Sequence, residues 1–223
     1  MNHSRPSESS DAILESLCEC GRRLHARNLL AAGDGNLSWR FPDGHIVMTP
    51  SGVSKQRLRP EDLTWLTEDG EVLVGKPSSE RLMHLAIYRA CPEARCVVHA
   101  HPPTAIAWTL ARPDWSELPA DAMPEVILAA GRIPVVPYAR PGTSDLGDVL
   151  MPYLPAHRLM VMARHGGLAW GESLDEAYNG MERLEHICQI LKAAHELGGF
   201  TQLPAEELAA LRGRRAAMGP KLL

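Results

Sequence analysis

The stretch CVVHAHPP, residues 96–103, leaves the chain few folds to adopt. It is too short between its neighbours for a buried helix, and its valines favour a pleated surface. On a strand, side chains two apart share a face, so Val97, His99 and His101 point the same way. Pro102 and Pro103 then stop the strand, and proline is well suited to open the next helix. A strand that ends on two imidazoles and runs straight into a helix implies helices packed on a sheet.

The same alternation continues on both sides. Ile13, Leu14, Leu17, Leu24 and Leu29 lie near helical spacing and predict an amphipathic helix that ends at AAGDGNLS, where Gly33 and Gly35 permit a tight turn. HIVMTPSG reads as a short strand running into a turn, and EVLVG as another. PSSERLMHLAIYRA reads as a helix capped by Ser78 or Ser79. IPVVPY and RLMVMA are further buried strands. The clearest helix is SLDEAYNGMERLEHICQILKAAHELGG, with a Ser173–Glu176 capping box and an apolar stripe from Leu174 to Leu191. Gly198 and Gly199 supply its stop. The fold class is therefore α/β.

A chain of 223 residues can bury a sizeable core. Its net charge of −4 argues against a broad attraction to nucleic acid. The basic stretch from Arg212 to Lys221 reads as a short solvated tail. No apolar run approaches the ~20 residues that span a bilayer, and the N-terminus lacks the apolar segment of a leader. Five cysteines, odd in number and without a CxxC pair, fit a reducing compartment, so a cytoplasmic protein is expected.

His99 and His101 suit a metal, because two nitrogens can reach one ion from adjacent same-side positions. Two hydrogen-bonded histidines would look the same in sequence. His165, in MVMARHGGLAWG, follows another predicted strand and would complete three imidazoles with an open position, the pattern of a catalytic zinc site. Spacing alone does not single it out among the remaining histidines. Glu80 opens a helix, where a carboxylate serves either helix stability or general base catalysis beside a metal. Glu125, in AMPEVILAAG, is an acid within an apolar stretch, and it reads equally well as a solvent-facing residue at an element start. Three polar turns, GNLS (35–38), TPSG (49–52) and PSSE (77–80), offer hydroxyls and free N–H groups that together could cradle a phosphate.

The ordered set GNLS, TPSG, PSSE, HAHPP, PYARPGT and RHGGLAWG, followed by LDEAYNGMERLEH, resembles the class II aldolase/adducin family from Ala12 to Leu203. The resemblance implies an αβα sandwich around a mixed, mainly antiparallel sheet. It divides the chain into a flexible N-terminus (1–11), one domain (12–203) and a C-terminal tail (204–223). It also implies a homotetramer with active sites at subunit interfaces and a small sugar phosphate as ligand, with no nucleic-acid or membrane partner. Carried over by position, it makes His99, His101 and His165 ligands of Zn2+, with Mn2+ or Co2+ as substitutes. Asn36, Ser51, Gly52, Ser78 and Ser79 become phosphate contacts, and Glu80 the acid/base.

Glu80, HAHPP and VPYARPGT look like the fuculose-phosphate-type aldolases. Glu125 stands where those enzymes carry tyrosine and where methylthioribulose-phosphate dehydratases carry glutamate. The expectation is an aldolase that splits a ketose 1-phosphate into dihydroxyacetone phosphate and an aldehyde through an enediolate, with Glu80 moving the proton and Glu125 acting near the aldehyde hydroxyl. The alternatives are the dehydratase, a decarboxylase or epimerase of a phosphorylated sugar acid or pentulose, and, last, a non-enzymatic adducin-like binding module.

Overall fold

The computed structural model describes residues 8–223. Eight strands form one sheet in the order β4-β3-β2-β1-β5-β8-β7-β6. They are β1 (Asn36–Arg40), β2 (Ile46–Met48), β3 (Thr64–Leu66), β4 (Val72–Val74), β5 (Cys96–Ala100), β6 (Val135–Val136), β7 (Leu159–Met162) and β8 (Gly166–Gly171). Neighbours run antiparallel, except that β6 pairs β7 in parallel. The sheet is therefore mixed and mainly antiparallel, as the resemblance implied.

Helices cover both faces. On one side α1 (Glu8–Ala26), α3 (Pro103–Ala111) and α6 (Leu174–Glu196) close a core through Leu24, Trp108 and Met181 against Leu37, Val98 and Ala169. On the other, α2 (Arg81–Ala90) and α5 (Asp145–Asp148) pack Met83, Ile87 and Leu146 onto Val97, Leu168 and Trp170. Strand β5 is buried along its whole length between these layers. Its period of two sends Val98 and Ala100 into one core and Val97 and His99 toward the other. No helix among the described residues is long and apolar enough to cross a membrane.

The long C-terminal helix forms as its pattern predicts, with Ser173 Oγ accepting from Glu176 N at 3.1 Å. The Glu176 carboxylate does not complete a capping box. It accepts from Arg158 at 2.9 Å and from the backbone N–H of Leu222 at 3.0 Å. Two other expectations change, and one strand is added. GNLS enters β1 rather than staying a turn, and GGLAWG is strand β8. Helix α2 begins at Arg81, one residue later than a Ser79 cap would place it, with Glu80 in the capping position and Ser78 Oγ accepting the Glu80 N–H at 3.2 Å.

The solvated tail is corrected. Residues Ala205–Met218 form α7, which packs on α4 (Pro124–Ala129). Arg215 is buried and donates to Leu128 O at 3.0 Å, satisfying a carbonyl at the end of α4. Leu222 joins the main core. Of the expected flexible segment 1–11, residues 8–11 are helical, and 1–7 lie outside the described residues.

Candidate active site

The site forms where β1, β5 and β8 begin or end together. Asn36 is paired with His99 across β1 and β5, and His99 with Leu168 across β5 and β8. Two glycines make this approach possible. Gly35 has φ +66°, and a Cβ there would lie 2.7 Å from His99 O. A Cβ on Gly166 would lie 2.8 Å from His99 Cε1 and 3.0 Å from His101 Cδ2.

His99, His101 and His165 come together, with one ligating atom from each lying within 4.8 Å of the others. His101 sits just past β5 and is fixed by its N–H, which donates to Leu29 O at 2.8 Å. His99 Nδ1 donates to Gly167 O at 2.8 Å. In the neutral ring that leaves Nε2 as a lone pair, 3.1 Å from His101 Nε2. Two ~2.05 Å bonds to one tetrahedral ion would set such nitrogens ~3.3 Å apart. His165 Nδ1 is buried without a hydrogen-bond partner. Three imidazoles whose ligating atoms converge this closely fit a divalent cation. Burial pushes His99 down to about 3, against a smaller upward pull from Glu80, so the ring is neutral and ready to bind.

Glu80 lies against the cluster. Its Oε1 is 3.1 Å from His165 Nε2, and its Oε2 is 3.3 Å from His99 Nε2. Burial raises its pKa, but the hydrogen bonds from His165 and Asn36 outweigh that and hold it well below the usual carboxylate range. Asn36 Nδ2 donates to Glu80 Oε2 at 2.8 Å.

The other sequence candidates divide into two groups. The polar turns do assemble: Pro50 bridges to Pro77, and Ser51 N–H donates to Lys76 O at 3.0 Å, which sets TPSG beside PSSE. Gly33 lies against Gly52, where an added Cβ would meet the Gly52 backbone at 3.2 Å. Ser79 and Gly52 are exposed, Ser51 is half-buried and Ser78 is buried. Glu125 is not brought to the histidines by any recorded contact. It is exposed in the first turn of α4, along a groove shared with Arg27, Glu182 and His186.

Sequence reasoning missed several residues. His84 is buried, with Nε2 2.5 Å from Asn36 Oδ1 and Nδ1 2.7 Å from Ser38 Oγ, which in turn meets Tyr88 OH at 2.7 Å. The available signal was its position four residues after Glu80, one helical turn along the same face. Asp34 Oδ2 lies 3.5 Å from His101 Nδ1, a carboxylate on the outer nitrogen of a ligand candidate.

Residues 15–191 match the class II aldolase and adducin N-terminal domain. The 3-oxo-tetronate 4-phosphate decarboxylase of Escherichia coli (strain K12) is 34% identical over 203 residues, covering 90% of this chain and 95% of that one. The methylthioribulose-1-phosphate dehydratase of Methylococcus capsulatus is 35% identical over 192 residues, covering 80% and 92%. The crystal structure of YgbL from Escherichia coli, whose description leaves aldolase, epimerase and decarboxylase open, aligns with TM-score 0.85 at 33% identity over 92% of this chain and 100% of that one.

Proposed function

The chain belongs to the class II aldolase and adducin family, and from that premise we propose that it is a metal-dependent lyase that decarboxylates a phosphorylated 3-oxo sugar acid of the 3-oxo-tetronate 4-phosphate type. The observation that carries this reading is that Glu80 is the one carboxylate, among the described residues, recorded against the inward nitrogens of the cluster. Release of CO2 needs an electron sink and one group that manages a proton at carbon. Aldol cleavage must also take the proton of the departing hydroxyl, and dehydration must protonate a departing hydroxide. Glu125, assigned such a task by the sequence, stands exposed on α4. The aldolase expectation therefore gives way to its decarboxylase alternative, which the 34% identity to a decarboxylase over 90% of the chain also favours.

Such a substrate is a β-keto acid with a C1 carboxylate, a C2 carbinol and a C3 ketone. Loss of CO2 leaves the C1–C2 electron pair at C2, delocalised into the C3 oxygen. A proton at C2 then yields dihydroxyacetone phosphate, the fragment that a ketose-1-phosphate aldolase would also release. A divalent cation held by His99, His101 and His165 supplies positive charge that polarises the ketone and stabilises the developing oxyanion. Ser51, Gly52, Ser78 and Ser79 hold the phosphate, joined by the second amide proton of Asn36. Glu80, ionised at rest, takes the C2 hydroxyl proton as CO2 departs and returns it to C2; a solvent proton then restores the hydroxyl. Zinc as the cation, a homotetramer with interface active sites, and a cytoplasmic setting supported by five buried free thiols belong to the same proposal.

The test is to incubate the metal-loaded protein with 3-oxo-tetronate 4-phosphate and with ketose 1-phosphates, following CO2 and dihydroxyacetone phosphate together. Both products above the spontaneous rate, from the keto acid alone, are expected. Dihydroxyacetone phosphate with an aldehyde and no CO2 would restore the aldolase, and loss of water from methylthioribulose 1-phosphate would point to the dehydratase.

A further inference from the structure

Lys55 is the one buried lysine among the described residues, with 1% of its surface exposed. Its stem passes over α1 at Gly21, where an added Cβ would sit 3.1 Å from Lys55 Cβ. Its Nζ donates to Gly33 O at 2.6 Å. An ammonium carries three donors, and this carbonyl takes one. No carboxylate is recorded in ion-pair contact with it among the described residues. Burying an ammonium without such a partner costs several kcal/mol.

The other buried cations have carboxylate or carbonyl partners, although Arg158 Nε makes no hydrogen bond. Arg40 is saturated by carbonyls including Tyr88, Pro92 and Ala94. Arg158 is paired with Glu176, and Arg215 caps carbonyls of α4 and the C-terminus. Lys55 alone lies between the polar turns. It follows Gly52 by three residues and grips Gly33, whose Cα faces the Gly52 backbone. Burial pulls its pKa down to about 8, while Asp34 and Glu80 pull it back up, so its charge acts within the field of the site.

We infer that Lys55 is the built-in counter-charge of the phosphate cradle: its buried ammonium holds the Gly33 and Gly52 turns together and supplies the positive potential that selects a doubly charged tetrahedral oxyanion. Lys55 acts through the Gly33 and Gly52 turns, so it is a positioning residue. The inference rests on the reading of these turns as a phosphate site.

The experiment titrates sulfate, a dianion that does not itself titrate near neutrality, into the metal-loaded wild type and Lys55→Met by calorimetry at pH 8. Dissociation constants for inorganic phosphate and KM for the substrate are measured alongside, and circular dichroism checks the fold. Wild type should bind sulfate, with Lys55→Met weaker by about tenfold or more. KM should rise while kcat is kept. An anion beside the ammonium raises its pKa, so wild-type binding should also take up protons, read as a dependence of the heat on buffer ionisation enthalpy. That second readout stands on the wild type alone should Lys55→Met fail to fold. Equal affinity in the two proteins, or no proton uptake by the wild type, would overturn the role of Lys55 and leave the phosphate reading intact. A wild type that binds neither sulfate nor phosphate would overturn both.

Discussion

His84 Nε2 donates to Asn36 Oδ1 across 2.5 Å, and that bond fixes which way the Asn36 amide faces. With Oδ1 engaged, Nδ2 is turned to Glu80. The neutral ring that donates from Nε2 accepts at Nδ1, so Ser38 donates to His84 and Tyr88 to Ser38. Four buried groups thus align their donors toward one carboxylate. Burial pushes His84 down to about 4, so the ring stays neutral.

Replacing His84 with Leu should break this chain and leave Asn36 Oδ1 and Ser38 Oγ without partners, costing about 1–3 kcal/mol at pH 7. The pH dependence carries a sign. A histidine with a folded pKa below its ordinary value of about 6.5 binds a proton in the unfolded state first, so its contribution is complete above about 6.5 and is lost as pH falls toward 4. Urea unfolding of the metal-free proteins should show a wild type that loses up to about 1.4 kcal/mol per pH unit more than His84→Leu over that window. Parallel curves would mean that His84 is not buried as the neutral donor.

Much of this site was legible in sequence and some was not, for identifiable reasons. Strand β5 announced itself, because Val97, Val98 and the prolines leave one reading. Helix α6 did so through its stripe and cap. Strand β1 did not, since Asn36, Ser38 and Arg40 are all buried on one face, reversing the usual polar-out alternation. Strand β8 opens on Gly166 and Gly167, which ordinarily weaken a strand and here make room for imidazoles and for α6. The tail misled because its charges outnumber its anchors: Arg215 and Leu222 fasten it, and neither stands out in a basic sequence.

Gly166→Ala tests the packing of the imidazoles without removing a ligand. Its Cβ would run into Ala100 O and crowd His99 Cε1 and His101 Cδ2, so the end of β5 and the rings it carries must shift. Metal retained after dialysis against a weak chelator should fall by about 10–100-fold in affinity, as for a disturbed supporting shell. His99→Ala, by contrast, should lose most of its bound metal outright. Full metal content in His99→Ala would sink the ligand assignment.

Glu80→Gln keeps a polar side chain of nearly the same shape but removes the charge that faces His99 and His165. Folding and metal content should persist, while turnover falls by about 10²–10⁴-fold, the range of a general acid–base group. A variant with wild-type turnover would reduce Glu80 to the capping residue of α2.

Glu125→Gln separates the three lyase readings. Its side chain is exposed on α4 beside a groove of about 790 Å³, and no recorded contact links it to the histidines. Decarboxylation asks nothing of a second carboxylate, so kcat/KM on the keto acid should stay within about twofold of wild type. Stability should change by no more than about 0.5 kcal/mol, as for an exposed position. A fall in turnover of about 100-fold or more would make Glu125 a second proton-transfer group. Since it makes no contact with the cluster in its own protomer, it would then act across a contact between copies, and aldol or dehydration chemistry would become the better account.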